Sequence, residues 1–211
     1  MKGSLVIISS PSGGGKGTLI LELMGMGIGI GYSISFTTRE KRSGEAEGRD
    51  YFFISRKEFE TRIAAGEFLE YAEVHGNYYG TSKTFVEALT RDGKDVILEI
   101  DVQGAAWVLT RAPDAVSIFI MPPSFEALTH RLTARATETP EQLSLRLRNS
   151  FDEVMGYTNF EYVVVNDDIP IAARRLESII LAERQKRIRQ TEAIKDILDS
   201  FDVSKHKVSG E

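Results

Sequence analysis

The chain has 211 residues, 42% of them hydrophobic and 27% charged, with a formal net charge of -5 and no cysteine. That length and balance suit one compact unit able to bury a sizeable core; the acidic excess excludes sequence-independent binding to nucleic acid, and the missing thiols exclude a disulfide framework, a thiolate nucleophile and a Cys-ligated metal. No stretch approaches a membrane-spanning length, and the apolar run Leu5-Val6-Ile7-Ile8 is too short for a signal-peptide core, so a cytoplasmic setting without a membrane partner is expected.

That run predicts a strand, Ser9 to Thr18 (SSPSGGGKGT) a glycine-rich turn, and Leu19 onward a helix. Strand, turn and helix start in this order are the context of a phosphate-binding loop. Gly13, Gly14 and Gly15 let the backbone approach an anion and turn N–H groups inward, the positive end of the helix adds to the field, and Lys16 supplies a point charge for the outer phosphates. The general pattern GxxxxGK[ST] would put glycine at position 10 and a hydroxyl at 17, where this chain has Ser10 and Gly17; the hydroxyl that usually meets Mg²⁺ moves to Thr18. The GKGT form resembles the loop of adenylate kinases and Pro11-Ser12-Gly13 that of guanylate kinases, both nucleoside monophosphate kinases.

The first helix should run from near Gly15 to about Met24, because Gly25, Gly27, Gly29 and Gly31 follow in alternation with Met26, Ile28 and Ile30. Each glycine costs a helix roughly 1 kcal/mol relative to alanine, so the stretch reads as a helix end and a weakly packed, flexible connection. Alternation at Tyr32, Ile34 and Phe36 predicts a strand, and Tyr51 to Ile54 a second short one. Between them Arg39 and Arg42, with hydroxyls at Ser35, Thr37 and Thr38, form a fork suited to a dianionic phosphate, or else a solvated charged loop. Ser55 and Glu58 have capping-box spacing, so a helix is expected from Arg56 to Ala65, ended by Gly66. From Phe68 to Ser82 a strand, turn and strand follow. Within them Glu70 lies among Phe68, Leu69 and Tyr71, and a carboxylate in apolar company needs a partner. The adjacent N1–H and amine of a guanine ring would match its two oxygens.

Ser82 to Asp92 predicts a helix, Val96 to Ile100 a buried strand, and Ser117 to Met121 another that ends at Pro122-Pro123. Ser124 can cap a helix from Phe125 to about Ala136, with Leu128 and Leu132 inward and Arg131 and Arg135 on the neighbouring face. Thr139, Pro140 and Gln142 form a second helix start, on a helix carrying Arg146 and Arg148. Tyr162 to Asp168 is the last core strand and its exit. A long amphipathic helix is expected from Ile171 to Gln190, with the basic run Arg184 to Arg189 as a solvated face and a frayed tail after Phe201. His75, His130 and His206 are isolated, without the paired spacing of a zinc site.

Ser35-x-Thr37-Thr38-Arg39-x-x-Arg42-x-Gly44-Glu45-x-x-Gly48-x-x-Tyr51-x-Phe53, then Glu70, then Gly76-Asn77-Tyr78-Tyr79-Gly80-Thr81, resembles the GMP-binding lobe of guanylate kinases. The resemblance implies that Arg39, Arg42, Tyr51 and Tyr79 hold the GMP phosphate and that Ser35, Glu70, Thr81 and Asp101 read the base. Glu99-Ile100-Asp101-Val102-Gln103-Gly104 is similar to the family's Asp-Ile-Asp-x-Gln-Gly, with Glu99 one methylene longer than the first aspartate; Glu99 is a candidate for ordering a Mg²⁺ water and equally a structural residue. Arg131-Leu-x-x-Arg135-Ala-Thr-Glu138 with Arg146-Leu147 resembles the arginine-bearing lid, although the family's glycine after the second arginine is Ala136 here. Asn166 resembles the residue near the adenine of ATP. Arg148 reads as structural.

These readings converge on an α/β P-loop NTPase fold: a parallel sheet covered by helices, with a mixed GMP-binding lobe and a helical lid. In one guanylate-kinase-like domain of 1–211 the core takes about 1–34, 85–124 and 152–211, the lobe 35–84 and the lid 125–151. The resemblance implies transfer of the γ-phosphoryl of Mg-ATP to GMP, in line and without a covalent intermediate. ATP is expected on Ser12, Gly13, Gly14, Gly15, Lys16, Gly17, Thr18 and Asn166. Lys16, Arg39, Arg131, Arg135 and Arg146 serve catalysis, and Thr18 is the one side chain assigned to Mg²⁺, which arrives on ATP. Two alternatives stand at this point: another nucleoside monophosphate kinase, suggested by GKGT but opposed by Glu70, and a non-catalytic binding module of guanylate-kinase type. Homo-oligomer formation and use of dGMP stay open.

Overall fold

The computed structural model describes residues 3–74, 76–134 and 140–201. His75, Arg135, Thr139, His206 and the tail beyond Phe201 lie outside them.

The first strand, β1 (Leu5–Ser9), leads through the glycine-rich turn into α1 (Lys16–Gly25) and on to β2 (Ile30–Tyr32). Farther along the chain come α3 (Lys83–Arg91), β7 (Asp95–Glu99), α4 (Val102–Arg111), β8 (Val116–Met121), β9 (Tyr162–Val165) and α7 (Ile169–Arg184). The strands form one parallel sheet in the order β2-β7-β1-β8-β9. Alternate residues of β1 feed opposite faces. Val6 and Ile8 pack with Leu19, Ile20 and Leu23 of α1 and Ala172, Leu176 and Ile180 of α7; Ile7 packs with Val86 of α3 and Ala105 and Val108 of α4. Both faces are thus covered, which is why the strands read as continuous apolar runs. The chain leaves β1 towards one side of the sheet and β7 towards the other, so their neighbouring carboxyl ends open a crevice, the usual place for a ligand in such sheets.

A second, mixed sheet is built from β3 (Phe36–Thr37), β4 (Phe52–Phe53), β5 (Phe68–Val74) and β6 (Asn77–Ser82), in the order β4-β3-β6-β5. Helix α2 (Arg56–Ala64) packs on it, and the expected cap is present: the Ser55 hydroxyl accepts the Glu58 N–H. Phe59 is fully buried, its ring stacked 4.4 Å from Phe68 and 5.1 Å from Tyr78, giving this lobe an aromatic core of its own. The helices α5 (Phe125–Thr133), capped by Ser124, and α6 (Pro140–Met155) follow β8, with Leu128 and Leu132 buried. No helix of the described residues is long and apolar enough to cross a membrane.

Several sequence expectations are corrected. The single strand expected over Tyr32, Ile34 and Phe36 is two pieces in two sheets: β2 ends at Tyr32 in the parallel sheet and β3 starts at Phe36 in the mixed one. The connection before β2 is packed rather than loose, since Met26, Ile28 and Ile30 rest on the α1/α7 core. Gly27 and Gly29 have positive φ angles of 70° and 69°, and a side chain there would meet nothing, so backbone conformation rather than space calls for glycine. Helix α4 was not expected. The long helix to Gln190 ends instead at Arg184, and a further helix, α8 (Thr191–Ser200), follows a short 3-10 turn.

Arg184 is not part of a solvated face. Its Nε donates to Asp95 Oδ2 at 2.7 Å, while Oδ1 accepts the Ser4 N–H at 2.8 Å, so the buried Asp95 ties α7 to the starts of β1 and β7. Removing one partner of a buried pair strands the other. Asp95→Ala is therefore expected to cost about 3 kcal/mol in urea unfolding, as a lowered midpoint at unchanged slope; an unchanged midpoint would show that the pair contributes nothing.

Candidate active site

The phosphate loop is held from behind. Gly15 caps α1 in the left-handed conformation at φ 85°, and a Cβ there would sit 2.4 Å from Asn166 Nδ2, so only glycine fits. The Gly14 carbonyl accepts from Asn166 Nδ2 at 2.9 Å and from Arg131 Nη1 at 3.3 Å, and Arg131 Nη2 also donates to the Asn166 carbonyl at 2.9 Å. These contacts turn the loop carbonyl outward from the cleft. Asn166 Oδ1 is buried without a hydrogen-bond partner among the described residues. At the loop's other end Ser12 Oγ accepts from Arg146 Nη2 at 2.8 Å and the Ser12 N–H donates to Glu153 Oε2 at 2.7 Å, which docks α6 on the loop. Lys16 Nζ reaches the Ile100 carbonyl at the end of β7, 2.9 Å away.

Across the cleft, Glu70 projects from β5 and is only 4% exposed. The Thr81 hydroxyl on the paired strand β6 donates to its Oε1 at 2.6 Å. Burial pushes the Glu70 carboxyl up from 4.5 to about 7; the Thr81 hydrogen bond pulls it down and the nearby Asp101 charge pushes it up further. Asp101 begins α4 as its cap, Oδ1 accepting the Gly104 N–H at 2.7 Å, so the residue read as a base contact is also a structural one. Arg39 is oriented by Glu45, with Nη2 donating to Oε1 at 2.7 Å, and lies 5.4 Å from the Tyr51 ring centre. The Tyr51 and Tyr79 rings meet edge to face at 5.9 Å, and burial, with the Glu99 charge next, pushes the Tyr51 phenol up to about 12.

Two cavities result. One of about 790 Å³ is bordered by the loop from Ser10 to Gly17 together with Arg39, Arg42, Tyr51, Tyr79 and Arg146. The other, about 170 Å³, is bordered by Ser35 and Glu70. They share Lys16, Tyr51, Val74, Tyr79, Glu99 and Asp101, so they are two ends of one cleft. Thr81 stands behind Glu70, Arg131 and Asn166 stand behind the loop, and Thr18 is exposed and borders neither cavity.

The family model for guanylate kinase matches residues 2–183. The chain belongs to the guanylate kinase family. It is 49% identical over 197 residues to the guanylate kinase of Symbiobacterium thermophilum, covering 93% of each chain. To that of Neisseria meningitidis serogroup A it is 50% identical over 199 residues, covering 94% of this chain and 97% of the relative. The solved guanylate kinase of Anaplasma phagocytophilum superposes with a TM-score of 0.77 at 36% identity, covering 94% of this chain and 95% of that one.

Within this guanylate kinase fold two cleft residues escaped the sequence reading. Tyr32 borders the smaller cavity and donates its hydroxyl to Glu99 Oε2 at 2.9 Å; Glu153 borders the larger and holds the loop N–H. Tyr32 gave only a strand signal, and Glu153 sits among ordinary helix residues, with its partner 141 positions away.

The Glu70 shift has a consequence for stability. Its folded value lies above the unfolded one, so its favourable contribution is complete below about pH 4.5 and is lost as pH rises through about 7. A shift of that size amounts to roughly 3 kcal/mol. Glu70→Gln should therefore gain stability relative to the parent between pH 5 and 8, read from unfolding midpoints; a pH-independent difference would show that Glu70 ionises as if solvated.

Proposed function

We propose that the cleft binds ATP on the phosphate loop and GMP on the mixed lobe and transfers the γ-phosphoryl to give ADP and GDP. The observation that carries this reading is the shared wall. Lys16, Tyr51, Tyr79, Glu99 and Asp101 border both cavities, so a phosphate held on the lobe faces one held on the loop.

The acceptor is a phosphate oxygen already ionised at neutral pH, so no general base is required, and positioning and charge neutralisation supply the acceleration. Arg39 and Arg42, with the Tyr51 and Tyr79 hydroxyls, hold the acceptor phosphate. In the small cavity the Glu70 carboxylate accepts from guanine N1–H and the exocyclic amine, with Ser35 and Asp101 beside it and Thr81 behind. Adenine offers an acceptor at N1 and would oppose that carboxylate. The N–H groups of Gly13, Gly15, Lys16 and Gly17 and the Lys16 ammonium take the ATP phosphates, the Ser12 and Gly14 N–H groups being held by Glu153 and the Pro11 carbonyl, and Asn166 stands behind the loop on the side proposed for adenine. Arg131, donating to the Gly14 and Asn166 carbonyls, holds the loop from behind, and Arg146, which borders the larger cavity, meets charge spreading over the transferred group. Arg135 is assigned the same role by resemblance. Residues 125–151 act as the lid that excludes water as a competing acceptor.

Mg²⁺ carried on ATP would neutralise phosphate charge, with Glu99 the carboxylate placed to hold it. The cleft fits such an ion, because the Glu99 carboxylate faces Gly17 next to Lys16. A cytoplasmic setting, where both nucleotides are available, accompanies this reading. The comparisons support neither another nucleoside monophosphate kinase nor a non-catalytic module.

ADP release with Mg-ATP, compared across GMP, AMP, CMP and UMP, tests it. GMP should dominate, Lys16→Ala should lower turnover by at least about 100-fold, and Glu70→Gln should lower kcat/KM for GMP by about 100-fold. Equal use of AMP by the parent chain would overturn the base assignment; no stimulation by any acceptor would overturn the activity.

A further inference from the structure

The outer turn of the phosphate loop is gripped by both helices that follow β8. Pro11 to Gly14 form a turn closed by the Gly14 N–H on the Pro11 carbonyl at 2.9 Å, and Gly13 takes the positive φ, 83°, that the third position of a type II turn requires. A Cβ on Gly13 would sit 2.9 Å from Leu132 Cγ, so α5 packs directly on the turn. Ser12, at the corner of the turn, is left to α6.

Arg146, Ser150 and Glu153 have the i, i+4, i+7 spacing of one helix face, and all three meet Ser12. Arg146 directs both Nε and Nη2 at the Ser12 hydroxyl oxygen, at 3.1 and 2.8 Å. The Ser12 N–H donates to Glu153 Oε2 at 2.7 Å. Ser150 is buried, donates to the Arg146 carbonyl at 2.7 Å and brings its Oγ within 3.4 Å of the Ser12 carbonyl. A hydroxyl oxygen has two lone pairs, so two guanidinium donors fill its acceptor capacity, and two donors converging on one atom fix the plane of the guanidinium as a single bond would not. Ser12, expected from the sequence among the ATP ligands, thus has its N–H on a carboxylate and its hydroxyl oxygen on an arginine that borders the larger cavity. A long arginine side chain left free would lose its rotamer freedom at the moment of reaction; one already held has little left to lose.

We propose that Ser12 is a positioning residue rather than an ATP ligand: its hydroxyl aims the Arg146 guanidinium at the phosphoryl group in transfer and couples α6 to the phosphate loop. This rests on the phosphotransferase reading. It divides the loop into a part that holds phosphate, Gly13 and Gly15 to Gly17, and a corner that sets the arginine acting on it.

Two readouts separate this role from a direct contact with ATP and from a general part in loop structure: kcat for GMP phosphorylation at saturating substrates, and the ATP dissociation constant measured by calorimetry without GMP. Arg146→Ala should lower kcat about 100-fold. Ser12→Ala, which keeps the backbone N–H, should lower kcat about tenfold, with the ATP dissociation constant within about twofold of the parent chain's. In the double variant kcat should stay within about twofold of Arg146→Ala alone, because the hydroxyl then has nothing to aim. An unchanged kcat in either single variant, or weaker ATP binding by Ser12→Ala, would overturn the proposal. So would a double variant about a thousandfold below the parent, the product expected of independent effects. A parent chain that transfers nothing to GMP would remove the phosphotransferase reading and this inference with it, an outcome visible before any variant is compared.

Discussion

Folding takes the Glu70 carboxyl out of water and offers the Thr81 hydroxyl in return. Burial outweighs the hydroxyl and backbone contacts of Thr81 and holds the carboxyl above its usual range, and a ligand with two adjacent donors relieves it. The mixed sheet serves this arrangement. The hairpin of β5 and β6 sets Glu70 opposite Thr81, and the Phe59, Phe68 and Tyr78 stack stiffens it from behind. On the proposed function, recognition of the base is selective by deficit: the site is completed by N–H groups and made worse by another acceptor.

The parallel sheet supplies the other half. Packing on both faces fixes the carboxyl ends of β1 and β7 side by side, so the phosphate loop and the Glu99–Asp101 segment face the same cleft. The loop's curvature is held by donors from sequence-distant elements, with Asn166 and Arg131 behind Gly14 and Arg146 and Glu153 at Ser12. The loop is held in shape before any ligand arrives, and preorganised dipoles cost no reorientation during reaction. Two differently built sheets, one packed on both faces and one with an aromatic core, meet at a shared wall.

What was legible in the sequence was local. The order of strand, glycines, lysine and helix was visible in consecutive residues; so were the Ser55 and Ser124 caps and the apolar company of Glu70. What was not legible depended on contacts across the chain. Period-2 alternation from Tyr32 to Phe36 continues through a change of sheet, so the pattern could not show the break. Asp101 was read only as a ligand, which concealed that an aspartate followed three residues later by a donating N–H also starts a helix, although Ala105 and Val108 carried the buried period of α4. The Tyr32–Glu99 bond spans 67 positions and the Arg184–Asp95 bond 89, and no local pattern marks either.

The most direct measurement is the number of protons exchanged when GMP binds near pH 7, obtained by calorimetry in buffers of different ionisation enthalpy for the parent chain and for Glu70→Gln. With a Glu70 pKa of about 7 in the free protein and an ionised carboxylate against guanine, the parent should release about half a proton more than the variant. Equal proton exchange in the two proteins, with GMP bound by both, would contradict the account by showing that Glu70 does not meet the base.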